Sequence, residues 1–295
     1  MRNLDAQPER ELIWRCRDRE LKIGAKPLLM GILNVTPDSF SDGGLFYDAE
    51  QAVAHGLAMA AAGADIIDVG GESTRPGAAP VAEADELERV LPVIQALGRD
   101  CGAVISVDTR KSAVAEQALV AGAQIVNDVS ALTADARMAG VVREFRAGAI
   151  LMHMRGEPGS MQDDPHYGDV VREVRDYLRE RIESLAGQGI EREALAVDPG
   201  FGFGKTAEHN IRLLACLDEL RGCGRPIVAG VSRKRFLGQL LGCVVGERLA
   251  GSLGALAYAV AAGARVLRVH DVRQSRDVVE VMNALMREKQ TSCNG

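Results

Sequence analysis

A chain of 295 residues lies near the length at which one hydrophobic core stops growing, so it holds one large domain or two modest ones. With 47% apolar and 26% charged residues it is no disordered, collagen-like or coiled-coil chain, and aromatics at 4% leave Ala, Val, Leu and Ile to fill the core. A formal net charge of −6 without a block of Lys and Arg argues against nucleic acid as a partner.

Short runs rich in Val, Ile and Leu alternate with stretches of helical period. Residues 1–25, with Trp14 and alternating Leu and Ile, read as an N-terminal extension, a hairpin or plug. Strand-like runs then fall at 28–33, 66–69, 104–107, 125–126, 149–152, 195–197, 227–231 and 266–269. Helix candidates fall at 48–62, 81–97, 111–121, 135–146, 170–188, 207–217, 247–262 and 273–287, several with an acidic first turn. A polar tail at 289–295 is expected to fray.

Three helix-to-strand joints share a spelling: Ala61-Ala-Gly-Ala-Asp-Ile, Val120-Ala-Gly-Ala-Gln-Ile and Ala261-Ala-Gly-Ala-Arg-Val, with Arg146-Ala-Gly-Ala-Ile close behind. A glycine there can take the left-handed conformation that ends a helix before the chain enters a buried strand. Near-continuous apolar strands alternating with helices imply a parallel sheet covered by helices, and eight such units are the size of a closed (β/α)8 TIM barrel. A doubly wound sheet is the rival, but it would carry G-x-G-x-x-G after its first strand, where this chain has Asn34-Val-Thr-Pro-Asp. The expected architecture is a single α/β barrel domain over residues 26–288.

Barrel enzymes place their chemistry at the C-terminal ends of the strands. The residues there are Asn34, Asp68 with Glu72-Ser-Thr-Arg75, Asp108-Thr109, Asn127-Asp128, His153, Asp198 through Lys205, Ser232 through Arg235, and Arg268-Val-His270. A carboxylate at such a mouth is costly unless something pairs with it. Asp108, Asn127 and Asp198 suit the donor-rich edge of a flat heterocycle such as a 2-amino-pyrimidinone. Arg75, Arg268 and His270 suit phosphate oxygens, which gives an anionic and a cationic half kept apart. Residues 34–44 and 72–79, rich in Gly, Ser, Asp and Pro, read as lids. Asp68 and Asp128 are as suited to orienting neighbours as to touching a substrate. His153 reads as core, Arg265 and Arg273 as solvated charges, and Lys205 as the partner of a nearby carboxylate.

At these residues the chain resembles the dihydropteroate synthases of folate biosynthesis. The resemblance is carried by Asn34-Val-Thr-Pro-Asp-Ser-Phe-Ser-Asp-Gly-Gly44, Ile67-Asp-Val-Gly-Gly-Glu-Ser-Thr-Arg-Pro-Gly77, Ser106-Val-Asp-Thr109 and Val126-Asn-Asp-Val129. It continues through Leu151-Met-His-Met154, Asp198-Pro-Gly-Phe-Gly-Phe-Gly-Lys205, Gly230-Val-Ser-Arg-Lys234 and Arg268-Val-His-Asp-Val272. The family is a (β/α)8 barrel transferase. It joins 4-aminobenzoate to the pyrophosphate ester of 6-hydroxymethyl-7,8-dihydropterin, releasing pyrophosphate with the help of Mg²⁺.

The resemblance implies that Thr74, Asp108, Asn127, Met152, Asp198, Lys234 and Arg268 contact the pterin. It puts 4-aminobenzoate beside Thr74, Arg75, Phe203, Ser232 and Lys234, and pyrophosphate beside Asn34, Arg75, Arg268 and His270. Asn34 is the implied Mg²⁺ ligand, and Arg268, His270, Lys234 and Asn34 the implied catalytic set. Two positions depart from the family pattern: Arg110-Lys111-Ser112 stands where Ser-Lys-Pro is frequent, and Arg235 where Ser is frequent.

The chemistry needs no strong general base, because an aniline nitrogen is already neutral at pH 7. Residues 233–241 read as a short helix whose N-terminus suits the aminobenzoate carboxylate. The six cysteines, at 16, 101, 216, 223, 243 and 293, lack C-x-x-C spacing and read as free thiols. With no apolar signal segment or membrane-spanning run, the expectation is a cytoplasmic enzyme without a membrane partner, and the family resemblance suggests a homodimer. The alternatives are a folate-methyl transferase of the related barrels and a non-catalytic pterin-binding paralogue.

Overall fold

The structure, a computed structural model, describes residues 12–36, 45–73, 80–157 and 159–293. Strands β1 (Leu12–Cys16) and β2 (Arg19–Ile23) form an antiparallel hairpin. Eight parallel strands follow: β3 (Leu28–Asn34), β4 (Ile66–Gly70), β5 (Val104–Asp108), β6 (Ile125–Asp128), β7 (Gly148–Met152), β8 (Leu195–Asp198), β9 (Val228–Ala229) and β10 (Val266–Val269). Helices α1 (Leu45–Ala61), α2 (Glu83–Asp100), α3 (Ser112–Val120), α4 (Met138–Phe145), α5 (Val170–Gly187), α6 (Ala207–Ala215), α7 (Arg235–Leu241), α8 (Leu249–Ala261) and α9 (Val272–Cys293) lie between and after them. Strands β3 to β8 pair in chain order, and β10 pairs with both β3 and β9. A parallel bridge between Val197 and Ile227, with the Val197 N–H donating to Pro226 O at 2.9 Å, joins the two edges into a closed (β/α)8 barrel.

The sequence periodicity is realised with local differences. Strand β9 has two residues where 227–231 was expected; Ile227 takes part only as an isolated bridge to Val197, and the ladder stops before Gly230. Helix α9 runs on to Cys293, into the segment 289–295 expected to fray, whose last two residues lie outside the described ones. Local capping matches the sequence chemistry: Asp169 accepts from the Val171 and Arg172 N–H groups at the start of α5, and Thr206 and His209 form a reciprocal capping box at α6. Gly63, Gly122 and Gly263 sit at φ 101°, 118° and 107°, in the conformation the repeated joint requires.

The fourth joint works otherwise. There Arg146 takes the left-handed place at φ 50°, and Gly148 is already in β7. A Cβ on Gly148 would meet Cys16 Sγ at 2.5 Å, so the glycine answers to the hairpin and not to the helix end.

One apolar side chain from each barrel strand (Met30, Ile66, Val104, Ile125, Ile150, Ala196, Val228 and Val266) joins Trp14, Cys16 and Ile23 in a buried interior cluster. The hairpin therefore plugs the barrel below this ring. Trp14 Nε1 donates to Ala194 O at 2.9 Å, and Arg225 donates to Leu195 O and Ile13 O at 3.1 and 3.0 Å. Side chains alternate along a strand, so the next inward ring lies two residues on, where six strands carry Asp68, Ser106, Asn127, Met152, Asp198 and Arg268 and the other two present Ile32 and Gly230. A larger apolar layer, including Ile67, Val69, Ile105 and Leu267, packs between the strands and the helices.

Arg265 is a correction to the expected surface charge. It is buried at the α8–β10 joint, where its Nη1 donates to Val260 O and Ala264 O, while Arg273 is exposed beside Asp277. Among the described residues no helix is long and apolar enough to cross a membrane, and Cys16, Cys101, Cys216, Cys223 and Cys243 are free thiols.

Replacing Gly148 with Ala should cost about 1–3 kcal/mol in urea unfolding by overpacking against Cys16. Adding Cys16→Ala should return part of that loss; strictly additive effects would contradict the contact.

Candidate active site

The polar ring converges on Arg268, which β10 delivers into the barrel mouth. Its Nε donates to Asp68 Oδ2 at 2.7 Å and its Nη2 to Asp108 Oδ2 at 2.6 Å. Asn127 Nδ2 donates to the same Asp68 oxygen at 3.0 Å. Asp68 is fully buried, and its Oδ1 has no partner among the described residues. Burial alone would lower the Arg268 pKa, but Asp68 and Asp108 reverse this and raise it, so the guanidinium stays charged. Burial raises the Asp108 carboxyl to about 7, with Arg268 pulling the other way. The acidic and cationic halves expected to lie apart are thus interleaved: the cation is held by two of the acids.

Asp198 ends β8 and accepts the Gly200 N–H at 2.7 Å. Burial raises its pKa, opposed by that N–H and by Lys234 and Arg268. The loop beyond it presses on the chain after β7. Cβ atoms on Gly200 and Gly204 would collide with the carbonyl oxygens of His153 and Arg155, and both glycines have positive φ. Phe203, at the crest of this loop, packs with Met152, Val129 and Met161. Lys234 Nζ lies 4.4 Å from the Phe203 ring centroid, and burial followed by Arg268 lowers this amine to about 8.

On the third side, Ser232 and His270 meet. Ser232 Oγ lies 3.2 Å from the His270 main-chain N and 3.1 Å from Nδ1. Burial, then Arg268, Arg233 and Lys234, lower His270 to about 4 against the pull of Asp271, so the ring is neutral at pH 7. Asn34, Gln51, His55, Arg233, His270 and Asp271 line a cavity of about 650 Å³.

The structure therefore brings Asp108, Asn127 and Arg268 into one bonded cluster through Asp68, groups Met152, Asp198, Phe203 and Lys234 by charge or packing, and sets Asn34 and His270 on the wall of the cavity, which the acid cluster does not line, with Ser232 against His270. Thr74 and Arg75, with most of both expected lids, lie outside the described residues. Of the two departures, Arg110 lies 3.6 Å from Glu72 Oε1, and Arg235 is exposed in the first turn of α7.

Three features are more definite in the structure than in the sequence, or differ from it. Asp68 binds both Arg268 and Asn127, which is the orienting role that the sequence left open beside substrate contact. Lys111 bridges Glu72 (2.5 Å to Oε2) and the fully buried Glu86, tying the root of the second loop to α2. Lys205 is buried, and among the described residues its hydrogen-bond partners include no carboxylate, contrary to expectation. Its Nζ meets His153 Nδ1 at 3.1 Å and the carbonyls of His153, Gly200 and Phe203. Burial lowers it to about 7, and burial with Lys205 and Arg155 lowers His153 to about 2.

The fold and site define a closed (β/α)8 barrel whose mouth holds a guanidinium between buried carboxylates. The sequence pattern of the pterin binding enzyme family matches residues 30–270, and the chain belongs to that family. It is 46% identical over 264 residues to the dihydropteroate synthase of Escherichia coli K12, covering 90% of this chain and 93% of that one. It is 44% identical to the Synechocystis dihydropteroate synthase, covering 90% and 92%. The structure of Xanthomonas albilineans dihydropteroate synthase with 4-aminobenzoic acid superposes with a TM-score of 0.88 at 46% identity, over 94% of this chain and 98% of that one. The same enzyme with 7,8-dihydropteroate gives 0.84 at 44%, over 93% and 98%. Within the pterin binding enzymes the chain stands among the dihydropteroate synthases, which are transferases.

Because His153 is held neutral, the unfolded chain binds a proton that the native ring refuses between pH 6.5 and about 2. The stability this provides is complete above pH 6.5 and is lost as pH falls through that window. Between pH 7 and 5 the loss should be about 2 kcal/mol. In urea unfolding, wild type should lose that much more than His153→Asn over this interval; equal losses would contradict the assignment.

Proposed function

We propose that this chain joins 4-aminobenzoate to (7,8-dihydropterin-6-yl)methyl diphosphate, giving 7,8-dihydropteroate and diphosphate, through the residues clustered at the barrel mouth. The observation that carries the reading is Arg268 held between Asp68 and Asp108, with Asn127 and Asp198 in the same ring. Carboxylates and an amide suit the ring N–H and exocyclic amine of a pterin. We assign Asp108, Asn127 and Asp198 to that edge, Met152 to packing, and Arg268 to the ring face and the diphosphate, with Thr74 at the same subsite. Phe203 and Lys234, with Thr74 and Arg75, border the 4-aminobenzoate. His270 and Arg75 join Arg268 at the diphosphate.

The reaction breaks the methylene C–O bond, whose electron pair leaves on the diphosphate oxygen. The electron-rich dihydropterin shares the positive charge that develops on the methylene, so the transition state is loose. The aniline nitrogen then donates its lone pair to form the C–N bond, and its surplus proton leaves to solvent. The chain's own task is to orient the two substrates and set cations against the leaving charge.

Mg²⁺ fits this arrangement. A hard cation that binds mainly phosphate oxygens and water needs only one or two protein oxygens, and Asn34 offers a neutral amide oxygen beside His270 and Gln51 in the cavity. When bound there, Mg²⁺ would neutralise diphosphate charge.

The reading includes a homodimer in the cytoplasm. Supporting the dimer, Leu240, Leu241, Val244, Tyr258, Val281 and Leu285 are exposed large hydrophobic side chains on α7, α8, α9 and the α7–α8 connection, the kind of residue that self-association covers. A solution mass of one chain would contradict this. The unpaired thiols support a reducing compartment.

With both substrates and Mg²⁺ the protein should release diphosphate, and release should require 4-aminobenzoate. Asp198→Asn should weaken pterin binding about tenfold or more in calorimetry, since an amide places a donor against a donor. Absence of release, or an unchanged affinity, would overturn the function or the residue assignment respectively.

A further inference from the structure

Ser232 and His270 stand on neighbouring strand ends of the barrel, and their contact has a defined proton arrangement. The His270 main-chain N–H can only donate, so at 3.2 Å it takes one lone pair of Ser232 Oγ. The Ser232 side chain is buried, at 6% exposure, and its hydroxyl proton needs an acceptor. Among the described residues its remaining hydrogen-bond neighbour is His270 Nδ1, at 3.1 Å. A neutral imidazole carries one proton. If the serine proton occupies the Nδ1 lone pair, the ring proton must be on Nε2, the nitrogen without a partner among the described residues.

We infer that Ser232 is a positioning residue for the reaction: its hydroxyl donates to Nδ1 and fixes His270 as the Nε2–H tautomer, so that a neutral ring offers an N–H to the departing diphosphate. The opposite tautomer would turn a lone pair toward an anion. This also separates Ser232 from the 4-aminobenzoate pocket that the family resemblance implies for it. The identity of the anion rests on the function proposed above, whereas the tautomer is a property of the free protein.

The test reads the ring directly. Protein labelled with ¹⁵N at histidine, free of substrate at pH 7, is examined by long-range ¹H–¹⁵N correlation, with His270→Gln assigning the signal. The expected spectrum has an unprotonated Nδ1 and a protonated Nε2, and Ser232→Ala should convert it to a mixture or to the Nδ1–H form. A protonated Nδ1 in wild type, or an unaltered tautomer in Ser232→Ala, would overturn the inference.

In steady-state kinetics Ser232→Ala should lower kcat about tenfold with the KM for 4-aminobenzoate within about twofold. His270→Gln, whose amide nitrogen can replace Nε2, should retain more turnover than His270→Asn. A raised KM for 4-aminobenzoate at unchanged kcat would place Ser232 in that pocket and overturn the inference. Wild-type protein that released no diphosphate would overturn the functional reading instead, and the tautomer would still stand or fall by the wild-type spectrum.

Discussion

A guanidinium clamped between two carboxylates in the mouth of a barrel organises the rest of this molecule. Asp68 is fully buried and Asp108 nearly so, and neither would be tolerable as a lone charge in such a place. Arg268 relieves both at once, Nε on one and Nη2 on the other, and Asn127 adds a neutral donor to Asp68. The arrangement comes from strands that are far apart in sequence, so it exists only when the barrel is closed. It also keeps polar groups ready for a ligand: Asp108 and Asp198 sit where burial disfavours their charge, and a substrate bearing N–H donors would supply what the protein withholds.

The barrel can bear this charge because of what lies beneath and around it. Below the polar ring is a dry layer made from one apolar residue of every strand, sealed by Trp14 and the hairpin. Above it, Gly200 and Gly204 let the loop after β8 fall against the carbonyls of His153 and Arg155, and Lys205 fastens it there. That fastening fixes Asp198 at one end of the loop and Phe203 at its crest. The joint of β9 and β10 does a similar task for His270 through Ser232. The two sides of the mouth are thus held by hydrogen bonds local to each loop, while Arg268 spans the middle.

Much of the fold was legible in the sequence because burial imposes it residue by residue. A parallel strand packed on both faces must read as a run of Val, Ile and Leu, and the recurring Ala-Gly-Ala joints mark helix ends through the φ that glycine permits. The polar strand ends were legible for the same reason, since Asp108, Asn127, Asp198 and Arg268 interrupt apolar runs. What remained hidden depends on contacts between distant segments. Gly148 resembles the other joint glycines in sequence but answers to Cys16, and Arg265 looks like a surface charge until its carbonyl partners are seen. Lys205 looked like half of an ion pair, yet carbonyls and a histidine nitrogen surround it. Nor does local pattern reveal that the acids and the arginine would pair with one another.

The dependence of the site on its central ion cluster is open to one direct measurement. Unfolding free energies of wild type, Arg268→Met, Asp68→Asn and the double variant form a cycle. Arg268→Met alone leaves buried carboxylates uncompensated and should cost about 3 kcal/mol or more, whereas the same change in the Asp68→Asn background should cost at least about 1.5 kcal/mol less. Two losses that simply add, within about 0.5 kcal/mol, would show that the guanidinium and the aspartate do not depend on each other and would contradict the account.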